Sequence, residues 1–497
     1  MKLASRSTRA CPIVALLLGA VSGCAPIFEH LTFPDKPLQR TKTGVFYDTT
    51  GQGKPSFAIL ADESGKFDVL AYDDNGDGNF NRTYRLSDYR NEDVPHLVIL
   101  LDSIPYQSLV ERMKAGDFYW FDQPPQKVIP PFPSLTEQIF TKIAGAPPLP
   151  GMTADYYDTH TSTGQWGIAK RVAGYEPPWE KRCDYDLTFY NSLHSYVRPS
   201  DWYKAELARA KKALDNCPNR VCIVYFTSTS GLLSKYGQAG AIESLEGVQR
   251  LCLQALYERQ GAVKISIFAD HGHNLVRSRN FSLEPFLIEA GFRPSGWIGG
   301  PQDVVTDMDG LLTYIGLHTH QPAAVSNALV KHEQIEFCTY LDKHEVVIRS
   351  AKGVAAIECR AGNLRYTPTT ADVLNYQPVI DDLKARDKID AEGYATPEDW
   401  FSATLNHEYP DAPKRLWDAF HGMTVNPPDV MLQVRDGWCV GPAALELFIT
   451  MASTHGSLNQ INSATFVMST TGRVKGPMRS RDIMNTIEPG YILPLRH

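Results

Sequence analysis

The sequence predicts an α/β protein: a mostly parallel central sheet with helices on both faces, a small N-terminal β-meander and an inserted cap. From His96 onward, apolar runs of strand length alternate with longer amphipathic stretches. The runs are HLVILLDS (96–103), VCIVYFTSTS (221–230), AVKISIFADHG (262–272) and SATFVMST (463–470), and unbroken apolar strands belong to sheets covered on both faces. Between two of them, LEGVQRLCLQALYERQG (245–261) carries a helical repeat that stops at Gly261, and a helix joining parallel neighbours makes a right-handed crossover. Before residue 93 the texture is different: short alternating runs split by Gly-containing turns, the pattern of a meander.

In chain order, the first residues carry Lys2, Arg6 and Arg9, then a short apolar stretch, then small residues before Cys24. The stretch falls short of the roughly 20 residues a membrane-spanning helix needs, so it reads as an export signal. It resembles a bacterial lipoprotein signal, in which cleavage before the cysteine leaves a lipidated N-terminus, here Cys24; a plain secretory peptide is the alternative. Ala25 in the following position favours, by the same resemblance, an outer-membrane anchor over inner-membrane retention. The expected organisation is a signal at 1–23, a Pro-rich tether at 24–43, the meander at 44–92 and one α/β domain at 93–497. Within that domain, residues 320–365 suggest a helix and a short β unit, and the polar, Pro-containing stretch at about 370–435 suggests a cap over one face.

At 497 residues and 43% hydrophobic, the chain can bury a large core. Its net charge of -7 comes from interspersed residues with no basic stripe, which argues against nucleic acid as a partner. Seven cysteines follow Cys24, namely Cys183, Cys217, Cys222, Cys252, Cys338, Cys359 and Cys439, with no C-x-x-C spacing. An odd number leaves at least one thiol free in an oxidising compartment, and Cys183 with Cys217 is one pairing open to it. Within the meander, DDNGDGNFN places Asp73, Asn75, Asp77 and Asn81 at alternate positions around Gly78, a spacing that lets oxygens converge on calcium. Position 12 of such a loop holds Tyr84 in place of Glu, and Asp-Gly pairs are also what a hairpin turn requires, so a plain turn is the first reading and calcium the second.

Chemistry is expected where strands end. Asp102 closes one apolar run and Asp270 with His271 closes another, delivering two carboxylates and an imidazole to one sheet edge. A divalent metal ion is the species that such a set suits, zinc first and manganese second. In PPFPSLTEQIF (130–140) a hydroxyl at Ser134 or Thr136 precedes a stretch able to start a helix, where backbone N–H groups favour a developing anion; the plainer role for Ser134 is an N-cap. His273, just beyond the second run, is either an acid or base at the site or a cap of the next helix.

Asp102, then PSLT some thirty residues later, then ADHG and finally STHGS (453–457), in that order, resemble the alkaline-phosphatase-like superfamily over about residues 95–475. The group contains phosphodiesterases, phosphonoacetate hydrolases, sulfatases and phosphoethanolamine transferases. The resemblance implies Thr136 as nucleophile, Asp102, Asp270 and His271 as ligands of one metal that the nucleophile oxygen also touches, and His455 as a ligand of a second. It also marks a departure. In STSGLLSKYG (228–237) the second metal's Asp and His positions are occupied by Ser230 and Ser234, whose neutral hydroxyls are weak ligands. Some branches of the superfamily work with one metal. The implied activity is therefore a one-metal hydrolase or transferase of small phospho- or phosphono-esters, with Lys235, His273 and His455 available to aid a reacting oxygen. A degenerate relative with a binding or structural role is the alternative. Specificity in this superfamily sits in the cap and insertions, which carry no readable motif.

Overall fold

A computed structural model describes residues 30–167, 170, 176–447, 449 and 451–491. The signal segment and Cys24 lie outside the described residues. No helix among the described residues is long and apolar enough to cross a membrane.

The centre is a six-stranded mixed sheet in the spatial order Val221–Phe226, His96–Leu101, Lys264–Ala269, Thr465–Ser469, Gln126–Ile129, Met478–Arg479. The first three strands are mutually parallel and buried at every residue, which accounts for their largely apolar composition. Thr465–Ser469 is equally buried but antiparallel to both of its neighbours. Burial on two faces sets composition whichever way a strand points, so its direction has no signature in the sequence. Register then positions the chemistry. Leu101 pairs with both Phe226 and Ala269, so Asp102, Thr227 and Asp270 leave the sheet together at one edge.

The helix read from residue 245 starts earlier, at Gln238, and runs to Glu258. It follows directly on a helix at Ser228–Tyr236, and Gly237, at φ +57°, makes the sharp turn between them. Residues 39–85 form a five-stranded antiparallel sheet in sequential order. Its Val45, Phe57, Ile59 and Leu70 share one core with Leu97, Ile99, Val248 and Leu251. Part of the segment read as a tether docks on the same core: Leu31 and Phe33 are buried, Thr32 and Phe33 donate N–H bonds to Gln254 Oε1, and Arg250 donates to the carbonyls of Leu31 and Phe33. Burying two such side chains contributes about 1.5–3 kcal/mol each, enough to hold an otherwise polar segment in place.

The short β unit read at 320–365 belongs to an eight-stranded sheet. Its order is Arg293–Pro294, Asp303–Asp307, Tyr314–His318, Val430–Val434, Ile335–Asp342, Glu345–Ser350, Gly353–Arg360, Asn363–Pro368. The stretch read as a cap supplies Val430–Val434 to the middle of that sheet and three helices, Gln377–Ala385, Pro397–Thr404 and Ala412–Phe420. Those helices close a core against Val346, Ile348, Ile357 and Tyr366.

At the far end of the central sheet, His96 Nδ1 lies 2.8 Å from Glu488 Oε2 and its Nε2 lies 2.8 Å from Ser266 Oγ, and Arg220 also pairs with Glu488. Burial opposes ionisation of Glu488, but the bonds from His96 and Arg220 prevail and hold its carboxyl down to about 2. A carboxylate depressed in this way stabilises the fold above its unfolded pKa, about 4.3, and loses that contribution as pH falls toward 2. Glu488→Gln is expected to lower the unfolding free energy by about 1.5–3 kcal/mol at pH 7. The deficit should shrink steadily below pH 4.3 and vanish near pH 2, as read by denaturant titrations at stepped pH.

Candidate active site

Three electron-rich atoms meet at the sheet edge. After Asp102 the chain turns through Ser103 at φ +70°, a left-handed conformation costing a non-glycine residue about 1–3 kcal/mol. That turn points the Ser103 N–H at Asp270 Oδ1 (2.9 Å) and its hydroxyl at Asp102 Oδ1 (2.5 Å). Asp270 Oδ1 also accepts the His271 N–H at 2.8 Å, while Asp270 Oδ2 is buried with no hydrogen-bond partner. His271 Nδ1 stands 2.8 Å from the Gly272 carbonyl and so carries the ring proton. Its Nε2 lone pair therefore faces inward, 3.3 Å from Asp270 Oδ2 and 4.0 Å from Asp102 Oδ1. Thr136 Oγ1, on the first residue of the helix Thr136–Ile143, is 3.3 Å from the same nitrogen.

Asp102, Asp270 and His271 are all buried and offer ligand atoms within 4.8 Å of one another. Burial raises both carboxyl groups, and Asp270 raises Asp102 further; burial also drives the His271 imidazole down to about 4. At neutral pH the site thus crowds a neutral imidazole lone pair against two carboxyl groups in a poorly solvated place, with one oxygen orphaned. Such a set is unfavourable without positive charge nearby. Two carboxylates and one imidazole nitrogen fit a zinc- or manganese-like ion, with the Thr136 hydroxyl as a further oxygen donor.

His455 lies alongside, its ring stacked on His271 at 4.1 Å and 20° and its Nδ1 donating to the Ser134 carbonyl at 3.0 Å. Burial, and then the neighbouring His271, keep it neutral. His273 is buried behind both, with Nδ1 on Ser453 Oγ and Nε2 without a partner, so it caps no helix.

No family model matches the chain, and no curated protein matches it. Among solved structures, the phosphonoacetate hydrolase of Sinorhizobium meliloti 1021, in complex with phosphonoacetate, is similar at a TM-score of 0.41 and 10% identity. The match spans 84% of this chain and 97% of that one. A likeness so distant leaves the chemistry to be read from this chain's own side chains.

Of the two positions marked as lost second-metal ligands, Ser230 carries a hydroxyl that is already engaged. Ser230 Oγ lies 3.2 Å from Ser103 Oγ, whose proton goes to Asp102, and accepts from Tyr196 Oη (3.0 Å), and Tyr225 Oη donates to Asp102 Oδ2 at 2.7 Å. Burial, and then Asp102, raise the Tyr196 phenol, so it stays protonated. Ser234 is buried on the wall of the adjoining cavity. Lys235 gives its ammonium to the Val197 carbonyl at 2.7 Å. In the Asp-rich loop, Asp73 accepts the N–H groups of Gly76 and Gly78, Asp77 accepts that of Asn79, and Asn75 bonds to Asp77. These oxygens are turned into the loop's own backbone, which links Phe67–Tyr72 to Arg82–Arg85 as a hairpin. All seven cysteines after Cys24 are free. Cys183 is not bonded to Cys217, which instead neighbours Cys222 and Asp184.

Sequence reasoning missed Ser103, Tyr196, Tyr225 and Arg415. Arg415, buried on the helix Ala412–Phe420, donates to the carbonyls of Leu458 (2.7 Å) and Pro410 (3.1 Å) and to Ser134 Oγ (3.2 Å). Ser134 in turn donates to the Ser457 carbonyl, so its hydroxyl fastens loops and caps no helix. Burial lowers the guanidinium to about 10, which leaves it charged at pH 7. Arg415→Met strands several buried acceptors at about 1–3 kcal/mol apiece. It is expected to lower stability by roughly 2–4 kcal/mol in chemical denaturation, with Arg415→Lys recovering part.

Proposed function

We propose that this protein is a hydrolase or transferase of small phosphate or phosphonate esters that uses Thr136 as its nucleophile and one divalent cation held by Asp102, Asp270 and His271. The observation that carries this reading is the convergence of three buried ligand atoms on a gap bordered by the Thr136 hydroxyl. When bound, a cation in that cradle supplies the positive charge that the pair of carboxylates calls for, polarises a phosphoryl oxygen and makes the threonine hydroxyl more acidic.

Thr136 Oγ1 passes its proton to solvent and attacks phosphorus as the ester P–O bond on the opposite side breaks. The departing alkoxide is protonated by solvent and leaves as an alcohol, and the phosphorylated threonine is released by water or by an acceptor alcohol. His271, with its proton fixed on Nδ1, keeps Nε2 as a donor of electrons. His455, fixed in the same sense by the Ser134 carbonyl, presents Nε2 to accept a proton from the second nucleophile. The Ser230, Ser234 and Tyr196 hydroxyls place neutral hydrogen-bonding groups where a second cation's ligands were expected, which supports a one-metal scheme. The zinc-loaded protein should release p-nitrophenol from p-nitrophenyl esters of phosphate or phosphonic acids; inertness on both, with metal bound, would favour the binding role.

We infer in addition that the protein is exported and held at the cell envelope through lipid on Cys24. Cys24→Ser should move it from the membrane fraction to the soluble fraction; an unchanged distribution rejects the anchor.

A further inference from the structure

We propose that the protein carries a second site, apart from the metal cradle: a hollow edged by Lys142, Lys414, Arg415 and Arg481 that binds a phosphate group bearing two negative charges, free in solution or on a lipid headgroup. The hollow, about 100 Å³, is formed by three separate segments together with Pro130 and Pro131. Lys142 stands in the last turn of the helix Thr136–Ile143, Lys414 and Arg415 in the helix Ala412–Phe420, and Arg481 in the turn Ser480–Asp482. At 1.5 Å of rise per residue, Lys142 lies roughly 9 Å along its helix from Thr136, so the hollow sits at the end of that helix remote from the cradle. Water takes about 30 Å³ per molecule, which gives room for a phosphate group in place of about three waters.

Among the described residues, five cationic side chains reach the lining, Arg479 being the fifth, beside two carboxylates, Asp411 and Asp418. Arg479 is matched by Asp411 at 2.7 and 3.0 Å, and Lys414 pairs with Asp418. The other three bring charge that these carboxylates do not cancel. Lys142 donates to the Gly422 carbonyl at 3.2 Å, a neutral acceptor. Arg481 Nε stands 3.8 Å from Asp482 in a pair about half exposed on both sides, which water screens. Arg415, buried and charged at pH 7, gives N–H groups to carbonyls and to Ser134, and its Nε meets no acceptor among the described residues. Burial lowers the Lys142 ammonium, Asp418 raises it, and Lys414 and Arg481 lower it again, so these cations feel one another across the hollow. Like charges held close favour an anion between them, and one with two charges and several oxygens can meet donors from three directions. Guanidinium forks match the face of a phosphate, and lysines serve it as point charges.

The test titrates the full chain with inorganic phosphate, with zinc and again with chelator, and follows thermal unfolding against sodium chloride of equal ionic strength, because phosphate also stabilises proteins by exclusion from their surfaces. A saturable rise in unfolding temperature that survives the chelator is expected, since the cradle then offers an anion only carboxyl groups and an imidazole. Lys142→Gln and Arg481→Gln should each weaken the apparent affinity by about fivefold or more. Arg481 is exposed, so its replacement should leave the fold intact even where that of Lys142 disturbs it, and far-UV circular dichroism checks both. Sedimentation of the Cys24→Ser chain with phosphatidylcholine vesicles, with and without phosphatidic acid, separates the sources. Cosedimentation that needs phosphatidic acid and fails with Arg481→Gln assigns the site to a headgroup; phosphate binding without it assigns the site to free phosphate. No saturable rise, a rise seen only with zinc, or one of equal affinity in the wild type and both variants overturns the site and leaves the hydrolase reading untouched.

Discussion

Thr136→Ala is expected to lower kcat/KM for p-nitrophenyl esters by roughly a thousandfold or more, the scale seen when a nucleophile that works as part of a unit is deleted. The substitution removes the hydroxyl that stands 3.3 Å from His271 Nε2. It should do so without disturbing the fold, because Thr136 is only half-buried and begins its helix, where its backbone N–H needs no intrahelical partner. Unfolding free energy should change by less than about 1 kcal/mol, and metal content should stay near one ion per chain. Thr136→Ser, which restores an oxygen, should recover part of the rate. A variant lacking the hydroxyl but keeping wild-type turnover would require another nucleophile; Ser134 is unsuited, since its hydroxyl is buried between Ser457 and Arg415.

Asp270→Asn is expected to change the sign of its effect with the metal. Without metal, Asp102 and Asp270 confront each other in a buried site, and burial has raised both carboxyl groups. A raised carboxyl means that the folded chain binds more protons than the unfolded chain from about pH 4 upward, so ionisation of the pair lowers stability as pH rises through that window. Asparagine keeps the Oδ1 that accepts the Ser103 and His271 N–H groups. It also puts an amide where the orphaned Oδ2 now faces His271 Nε2 at 3.3 Å. The metal-free variant should therefore be more stable than metal-free wild type by roughly 1–3 kcal/mol at pH 7, the size of a substantial single-site effect. Metal reverses the order. At a hundred times its dissociation constant an ion stabilises the wild type by about 2.7 kcal/mol, whereas the variant, with one anionic ligand gone, should gain little. Thermal unfolding with zinc and with chelator, for both chains, shows whether the curves cross. A variant less stable than wild type in both conditions would mean that Asp270 holds the fold by ordinary bonds and has no special need of a cation.

How much of this was legible beforehand differs from residue to residue, for physical reasons. Asp102, Asp270 and His271 stand out because a fully buried strand takes a polar residue only where a partner meets it, as His96 and Ser266 meet each other, so carboxyls and an imidazole closing two apolar runs ask for a partner of their own. Thr136 could be singled out only beside Ser134, and its place came from the order of motifs along the chain. The direction of Thr465–Ser469 left no trace, since both of its faces are buried. The eight-stranded sheet went unread because its central strand, Val430–Val434, arrives from beyond a helical stretch of some sixty residues whose polar exterior masks the apolar face it turns inward. Tyr196, Tyr225 and Arg415 reach the site from other segments, and no local pattern announces a side chain whose partner lies 34 residues away, as Ser230 does from Tyr196, or 123 and 281, as Asp102 does from Tyr225 and Ser134 from Arg415. Ser103 had a signal of its own, being the residue directly after Asp102, but its left-handed turn is visible only in the backbone.

The central claim is that one divalent ion sits against Asp102, Asp270 and His271 within reach of the Thr136 hydroxyl. A crystal structure of zinc-loaded protein, with anomalous scattering collected at the zinc edge, tests it most directly. A single peak bonded to those three side chains, with Thr136 Oγ1 beside it, is the predicted result. A cleft without a peak, or a second ion bound through His455 beside Ser230 and Ser234, would contradict the account.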